Sequence, residues 1–300
     1  MIRIRLKGRL GNQMFIYAFA RALQEKYHQK VLIYDRKKET DAMWHSHLDR
    51  FVLNKSISFT SNKSDIMKMS FIAKWLFFKD RIYCRHKSSR QVHDYQLKHW
   101  NENLSHGLLL LMDGYKKIPD EIPSDVFCDG YFQSPKYIDH IRPLLLKEFL
   151  PKAELQDYEK DMLAKIQNLN SVCITIRLGD YIGNSTHQVC TKEFYLGAMK
   201  RIHELQPDCV FYVFSDEVDR AREIFDFPYP VVYDSGQSQD ATSLYIMSQC
   251  KHFIISNSSF SWWAQYLGTA SNKIVIAPDH WYARDVVCDI MQDSWIKLKC

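Results

Sequence analysis

The spacing of apolar positions divides this chain into elements. Ile2, Ile4 and Leu6 alternate with Arg3 and Arg5, the pattern of a strand with one exposed face. Behind the turn that holds Gly8 and Gly11, residues Met14, Phe15, Ala18, Phe19, Ala22 and Leu23 recur at helical spacing. Residues 31–34 form the next strand, ending at Asp35. This is a β-α-β unit with a glycine loop at the carboxyl end of its first strand, where α/β sheets hold ligands. The loop reads G-x-x-G and not the dinucleotide G-x-G-x-x-G, which weakens a nicotinamide reading. Residues 40–125 are less periodic. A strand closes at residues 130–132, residues 136–150 are helical in pattern apart from Pro143, and Pro151–Lys152 marks a boundary between domains 1–151 and 152–300.

Beyond the boundary the alternation is regular. The pattern predicts helix at 154–169, strand at 171–176, helix at 192–204, strand at 210–214, a helix reaching Phe225, and strand at 231–233. Helix 241–248, strand 252–256 and helix 260–267 follow, the last with Phe260, Trp263, Ala264 and Leu267 on one face. Strand and helix in strict alternation predict a doubly wound parallel sheet, hence an α/β fold.

Composition narrows the class. Three hundred residues with 46% apolar and 14% aromatic content can build large cores. No apolar run approaches 18 residues and the first residues already form a strand, so we expect a soluble, cytoplasmic protein. Eight cysteines show no C-x-x-C pair and no zinc spacing, twelve histidines are scattered, and there is no D-x-D metal–diphosphate clamp; no metal is expected. A net charge of +5 does not imply nucleic acid. Its distribution says more. Residues 63–98 hold nine Lys or Arg against Asp65, Asp80 and Asp94, interleaved with Phe71, Trp75, Phe77, Phe78 and Tyr83. That is either a solvated basic face or a patch for peripheral contact with the inner face of an anionic membrane.

Three places carry candidate chemistry. Arg177 ends a buried strand, where a guanidinium is costly unless it meets an anion; an ion pair with Asp180 is the alternative. Asn257, Ser258 and Ser259 lie between a strand and a helix, as simple caps or as an anion site at a helix N-terminus. Arg9, Asn12 and Gln13 are polar at a helix start, again as caps or as ligand contacts.

The stretches GRLGNQMFIYAFARAL (8–23), GYFQSPKYI (130–138), ITIRLGDY (174–181), VFSDE (213–217) and DATSLYIMSQCKHFIISNSSFSWWAQYL (240–267) resemble the inverting, GDP-fucose-dependent alpha-1,2-fucosyltransferases of glycosyltransferase family 11. The resemblance implies two Rossmann-like domains facing a cleft, the GT-B architecture, with GDP-fucose as co-substrate, mainly in the C-terminal domain, and no metal. It implies that Arg177 meets the β-phosphate, that Ser258, Ser259 and their helix hold the other diphosphate oxygens, and that Asp240 accepts from guanine unless it only caps its helix. Asp216 would contact ribose or donor. Asp180 is the candidate base unless it only orients Arg177 or a loop; His187, in the loop after that motif, is either a surface histidine or a group that reaches the cleft, and Arg9, Asn12 and Gln13 would face sugar and acceptor. The family's H-x-R-R-x-D reads Thr175–Ile176–Arg177–Leu178–Gly179–Asp180 here. Thr175 keeps a hydroxyl donor, while Leu178 removes a basic contact. The expected acceptor is an oligosaccharide or a lipid-linked glycan, fucosylated at the 2-OH of a terminal galactose. Another nucleotide-sugar transferase, or a non-catalytic sugar-nucleotide or glycan binder, stays open.

Overall fold

The computed structural model of the protein describes residues 1–35 and 47–300, so residues 40–46 of the weakly periodic stretch lie outside the described residues. The chain forms two compact units, Met1–Phe149 with Asp285–Met291, and Leu150–Arg284 with Gln292–Cys300.

The first unit runs β1 (Ile2–Arg5), α1 (Leu10–Tyr27), β2 (Val31–Tyr34), β3 (Ile57–Thr60), α2 (Lys63–Ile66), α3 (Phe71–Cys84), α4 (Ser89–Lys98), α5 (Trp100–Ser105), β4 (Leu108–Leu111), β5 (Val126–Gly130) and α6 (Arg142–Glu148). Its strands pair in the order β3-β2-β1-β5-β4, all parallel. The expected open face of β1 is not there. Both faces of a parallel sheet are covered, so Arg3 is buried too; Asp125 at 2.8 Å meets its charge, and its Nη1 donates to the Ile66 carbonyl at 3.1 Å. Gly8 turns the chain into α1 with φ +73°, and a Cβ there would press into the Asn12 side chain, so glycine is required. The helix expected over 136–150 is broken. Two short 3-10 turns at Pro135–Tyr137 and Asp139–Ile141 precede α6, which carries Pro143 in its first turn, where a missing N–H costs nothing. Asp285–Met291 returns to this unit: Arg90 grips Asp285 with Nε and Nη2 at 2.8 and 2.6 Å, and the Val287 amide donates to Ser89 Oγ at 3.0 Å.

The second unit runs α7 (Asp157–Asn168), β6 (Ser171–Ile176), α8 (Lys192–Leu205), β7 (Val210–Ser215), α9 (Val218–Ile224), β8 (Val231–Tyr233), α10 (Asp240–Ser248), β9 (His252–Ile254), α11 (Ser259–Leu267), β10 (Val275–Pro278) and β11 (Ile296–Leu298). The sheet order is β11-β10-β9-β6-β7-β8, again all parallel. With β6 as the first strand of the unit, this is the doubly wound nucleotide-binding order. Helix α11 departs from the one-face expectation. Trp262, Gln265 and Tyr266 are buried together with Trp263, Ala264 and Leu267, because the helix packs on α10 as well as inside the unit. A helix apolar on all sides belongs to a core.

Candidate active site

In the second sheet the strand order reverses between β6 and β9, and ligands of open α/β sheets sit outside the carboxyl ends of the strands at such a point. Arg177 leaves β6 there. Its Nη2 donates to Asp180 Oδ1 at 2.7 Å and its Nη1 lies 3.3 Å from Asp216 Oδ2, while its guanidinium stands 5.1 Å from the centre of the Tyr181 ring. Asp216 also accepts from the Leu178 amide at 2.9 Å, and Gly179 makes room for it, since a Cβ there would stand 2.7 Å from Asp216 Oδ2. The ion pair weighed as the alternative is thus real, and it is shared between two carboxylates. It does not use the whole guanidinium. Arg177 Nε is buried without a hydrogen-bond partner, and an unmet buried N–H costs about 1–3 kcal/mol until something accepts from it.

Arg177, Tyr181, His187, Thr191, Ser256 and Asn257 are among the residues around a cavity of about 530 Å³, a size suited to a nucleotide-sized ligand. The loop over it is pinned by Asn257. This buried amide donates to the carbonyls of His187 and Trp281 at 2.9 and 3.0 Å, and Cys190 Sγ donates to its oxygen at 3.7 Å. Asn257 was expected to bind the donor; with both N–H groups spent on backbone, it positions the loop instead. Thr175 is likewise internal. Its hydroxyl donates to Ile254 O at 3.5 Å and accepts from the Ser256 amide at 3.0 Å, stitching β6 to β9. Leu178 belongs to the core cluster that also holds Ile176, Phe194 and Tyr195, and it borders the cavity as well.

Ser258 occupies the N-cap position of α11, yet its side chain accepts no capping bond from that helix. Capping therefore does not account for it. Ser259 is the first helical residue. His187 is no plain surface histidine. It is half-buried, its ring stacks at 5.3 Å on Tyr181 and tilts at 5.7 Å against Tyr282, and no hydrogen bond to the ring nitrogens is made among the described residues. Burial lowers its pKa, only partly offset by the Asp180 charge, so the imidazole is neutral at pH 7. Asp240 opens α10 and lies outside the group that lines the cavity.

The first sheet reverses order between β1 and β5. Asn12 Oδ1 accepts from Gln133 Nε2 there at 2.7 Å, joining the first turn of α1 to the loop after β5. Gln13, expected to face sugar and acceptor, is buried, and its Nε2 donates to Gly8 O at 2.9 Å, bracing the glycine turn. Arg9 stands at the N-cap position of α1 without a side-chain cap bond.

The sequence pattern of Glycosyl transferase family 11 matches residues 1–299. The chain belongs to this family. Among its relatives, the O-antigen biosynthesis glycosyltransferase WbnK of Escherichia coli is 31% identical, with 98% of this chain and 99% of the relative covered. An alpha-1,2-colitosyltransferase of Escherichia coli is 27% identical, with 98% of both chains covered. Among solved structures, the NodZ alpha-1,6-fucosyltransferase co-crystallized with GDP superposes with a TM-score of 0.50 at 12% identity, over 88% of this chain and 91% of that one. That likeness speaks for the α/β fold with Rossmann-like units, the GT-B class. Two residues of the family member's site escaped the sequence reading. Tyr181, under the guanidinium, and Gln133, on Asn12, both lie inside stretches that carried the resemblance, but nothing in their spacing marks them.

Proposed function

We propose that this family 11 glycosyltransferase moves L-fucose from GDP-fucose to the 2-OH of a terminal galactose on a glycan, in O-antigen or other surface glycan assembly, by a single inverting displacement without a metal. The observation that carries the reading is Arg177, a cation at the switch point of a nucleotide-type sheet with a buried N–H still to be met. The acceptor oxygen attacks the anomeric carbon as the bond to the β-phosphate oxygen breaks, and the bonding pair leaves with GDP. Arg177 and the N-terminal turn of α11, with Ser258 and Ser259, stabilise the charge that develops on the diphosphate. Asp216 and Asp180 hold the guanidinium in place. His187, neutral and free at its ring nitrogens, accepts the acceptor's proton. Asp240 reads guanine, while Arg9, Asn12 and Gln133 offer hydrogen bonds to sugar hydroxyls.

A second reading has one observation in its favour. The 27% identical relative is named as a colitosyltransferase, so the same leaving group with a colitose donor fits the same residues. The deciding experiment incubates the purified protein with GDP-fucose, or with the corresponding colitose donor, and a β-galactoside acceptor. Acceptor-dependent release of GDP with an inverted anomeric centre on the galactose 2-OH is expected with GDP-fucose. Turnover with the colitose donor alone would transfer the assignment to the second reading, and donor binding without turnover under any acceptor would leave a non-catalytic binder.

A further inference from the structure

Helix α3 wears its apolar residues on the outside. Phe71, Ile72, Trp75, Phe78 and Ile82 are 85, 51, 54, 63 and 58% exposed. Phe71, Trp75, Phe78 and Ile82 follow one another at intervals of four, three and four, so they form a single stripe along the helix. The inward face is modest by comparison: Ala73, Leu76 and Phe77 pack toward the sheet, with Phe77 edge-on to Phe127 at 5.2 Å. The charges are sorted as well. Lys74, Lys79 and Arg81 are exposed, whereas the helix's single acid, Asp80, is buried and accepts from Gln96 Nε2 at 3.1 Å. Lys79 Nζ sits 5.3 Å from the centre of the Trp75 ring, at the border of the stripe. Lys68, Arg85 and Lys87, exposed just beyond the helix ends, extend the same sign.

A contiguous exposed apolar stripe on a soluble fold marks an interaction surface. We propose that this face of α3 docks the protein on an anionic phospholipid bilayer. Aromatic side chains at the centre and cations at both flanks match a helix lying in the headgroup layer, where rings enter the acyl boundary and Lys and Arg remain with phosphate. A second copy of the chain is the poorer partner. A two-fold contact would set the same cations against one another, and the helix exposes no carboxylate to answer them. No helix of the described residues is long and apolar enough to cross a membrane, so this contact is peripheral and reversible. Arg81 also gives it a direction: its guanidinium lies 3.8 Å from Asp129 at the end of β5, so the C-terminal half of α3 is tied to the carboxyl end of the first sheet. The inference is independent of which sugar is transferred.

The test is co-sedimentation of the full chain with vesicles of phosphatidylcholine alone or mixed with phosphatidylglycerol, at about 0.05 and about 0.5 M salt, where screening lengths differ severalfold. Binding to the anionic vesicles at low salt is expected, with loss at high salt. Each engaged cation contributes about fivefold to partition, so Lys74→Glu with Lys79→Glu lowers it at least about 25-fold. Trp75→Ser with Phe78→Ser lowers it about tenfold or more through lost insertion. All four positions are exposed, so both variants should melt with the wild type, and the lipid and salt comparison needs no variant at all. Equal binding to both vesicle types, or none to either at low salt, overturns the proposal. So does a concentration-dependent dimer in sedimentation velocity that disappears in the Trp75→Ser, Phe78→Ser variant while the vesicles go unbound, which would make a second copy the occupant. Turnover of a water-soluble acceptor in lipid-free buffer reports on the donor site separately.

Discussion

The two sheets offer the same place in two chemistries. Each is parallel and doubly wound, and each reverses order beside its first strand. At the C-terminal reversal a guanidinium and a histidine line a cavity, two carboxylates hold the guanidinium, and a serine stands at the N-cap of α11. At the N-terminal one, the first turn of α1 and the loop after β5 are joined by two neutral amides, Asn12 and Gln133. A charged clamp is what a departing diphosphate requires, because its charge grows in the transition state. Paired amides suit hydroxyls, which need a donor and an acceptor at once and bring no charge. The topology supplies a position; the side chains at the strand ends decide what is held there.

That division can be broken most directly at Arg177. Arg177→Ala should cost about 2–4 kcal/mol in kcat/KM, the scale for losing a charged contact to a leaving group. Folding should change little, since the guanidinium leans on loop carboxylates and not on the core. Turnover near wild type, measured at saturating acceptor, would leave Arg177 as a purely structural ion-pair partner. Activity should also survive excess EDTA, because the charge is met by Arg177 and a helix terminus; loss that Mg²⁺ restores would refute this.

The next largest effect is expected at His187. His187→Gln removes the proposed base, and general-base catalysis contributes about a hundredfold or more. The sign of the pH dependence follows from burial. Its folded pKa lies below the ordinary value near 6.5, so the folded protein binds the proton more weakly than the unfolded chain. The contribution to stability is thus complete above the unfolded pKa and is lost as pH falls from there through the folded one. Wild-type kcat should fall on the acid side in that window, and the glutamine variant should lose this limb. An unchanged acid limb would reassign it, with Asp180 the next group to replace.

The gap between sequence and structure follows the same contrast. Up to α11 the second unit was legible almost element by element, because its strands are continuous apolar runs of β-branched and aromatic residues separated by regular helices; β10 and β11 were not read. The strand 171–176 was placed to the residue. Arg177 was legible because a cation beside such a run is a conflict that needs a reason. The first unit was harder. Exposed aromatics on α3 blur the helical period that inward-facing residues would otherwise show, Pro143 was read inside a helix that it in fact opens, and the return of Asp285–Met291 leaves no local signal. Within the site, residue types were visible but not their commitments. Asn257 and Thr175 could each touch a ligand, and only the structure shows their hydrogen bonds spent on the backbone.

Two substitutions sharpen the donor side. Asp240→Asn should raise the KM for GDP-fucose by the equivalent of about 1–3 kcal/mol and leave kcat nearly intact, since guanine lies far from the breaking bond. Equal affinity of the wild type for ADP and GDP would sink this assignment. Gly179→Ala tests how Arg177 is held. Its methyl group would stand 2.7 Å from Asp216 Oδ2, so the carboxylate must swing off Arg177 or off the Leu178 amide. We expect a loss of about 1–2 kcal/mol in kcat/KM, comparable to one hydrogen bond to a charged group. Full activity would mean that Asp216 does not position the guanidinium.

The smallest effect belongs to the first sheet. Gln133→Leu keeps roughly the volume of the side chain and removes its amide, so Asn12 loses its 2.7 Å partner at the β1–β5 reversal. A neutral hydrogen bond is worth about 0.5–1.5 kcal/mol net, and the carbonyl of Asn12 can turn toward water. The expected outcome is therefore a rise of about 2- to 10-fold in KM for the acceptor, with KM for the donor unmoved, because the substitution adds and removes no charge. Gln133→Glu separates hydrogen bonding from shape: it keeps the length but offers only acceptor oxygens to the oxygen of Asn12, and should weaken the acceptor further. Steady-state kinetics with both substrates varied gives the answer. If donor KM rises as much as acceptor KM, the amide pair is not an acceptor-side feature, and the contrast between the two reversals would have to be drawn elsewhere.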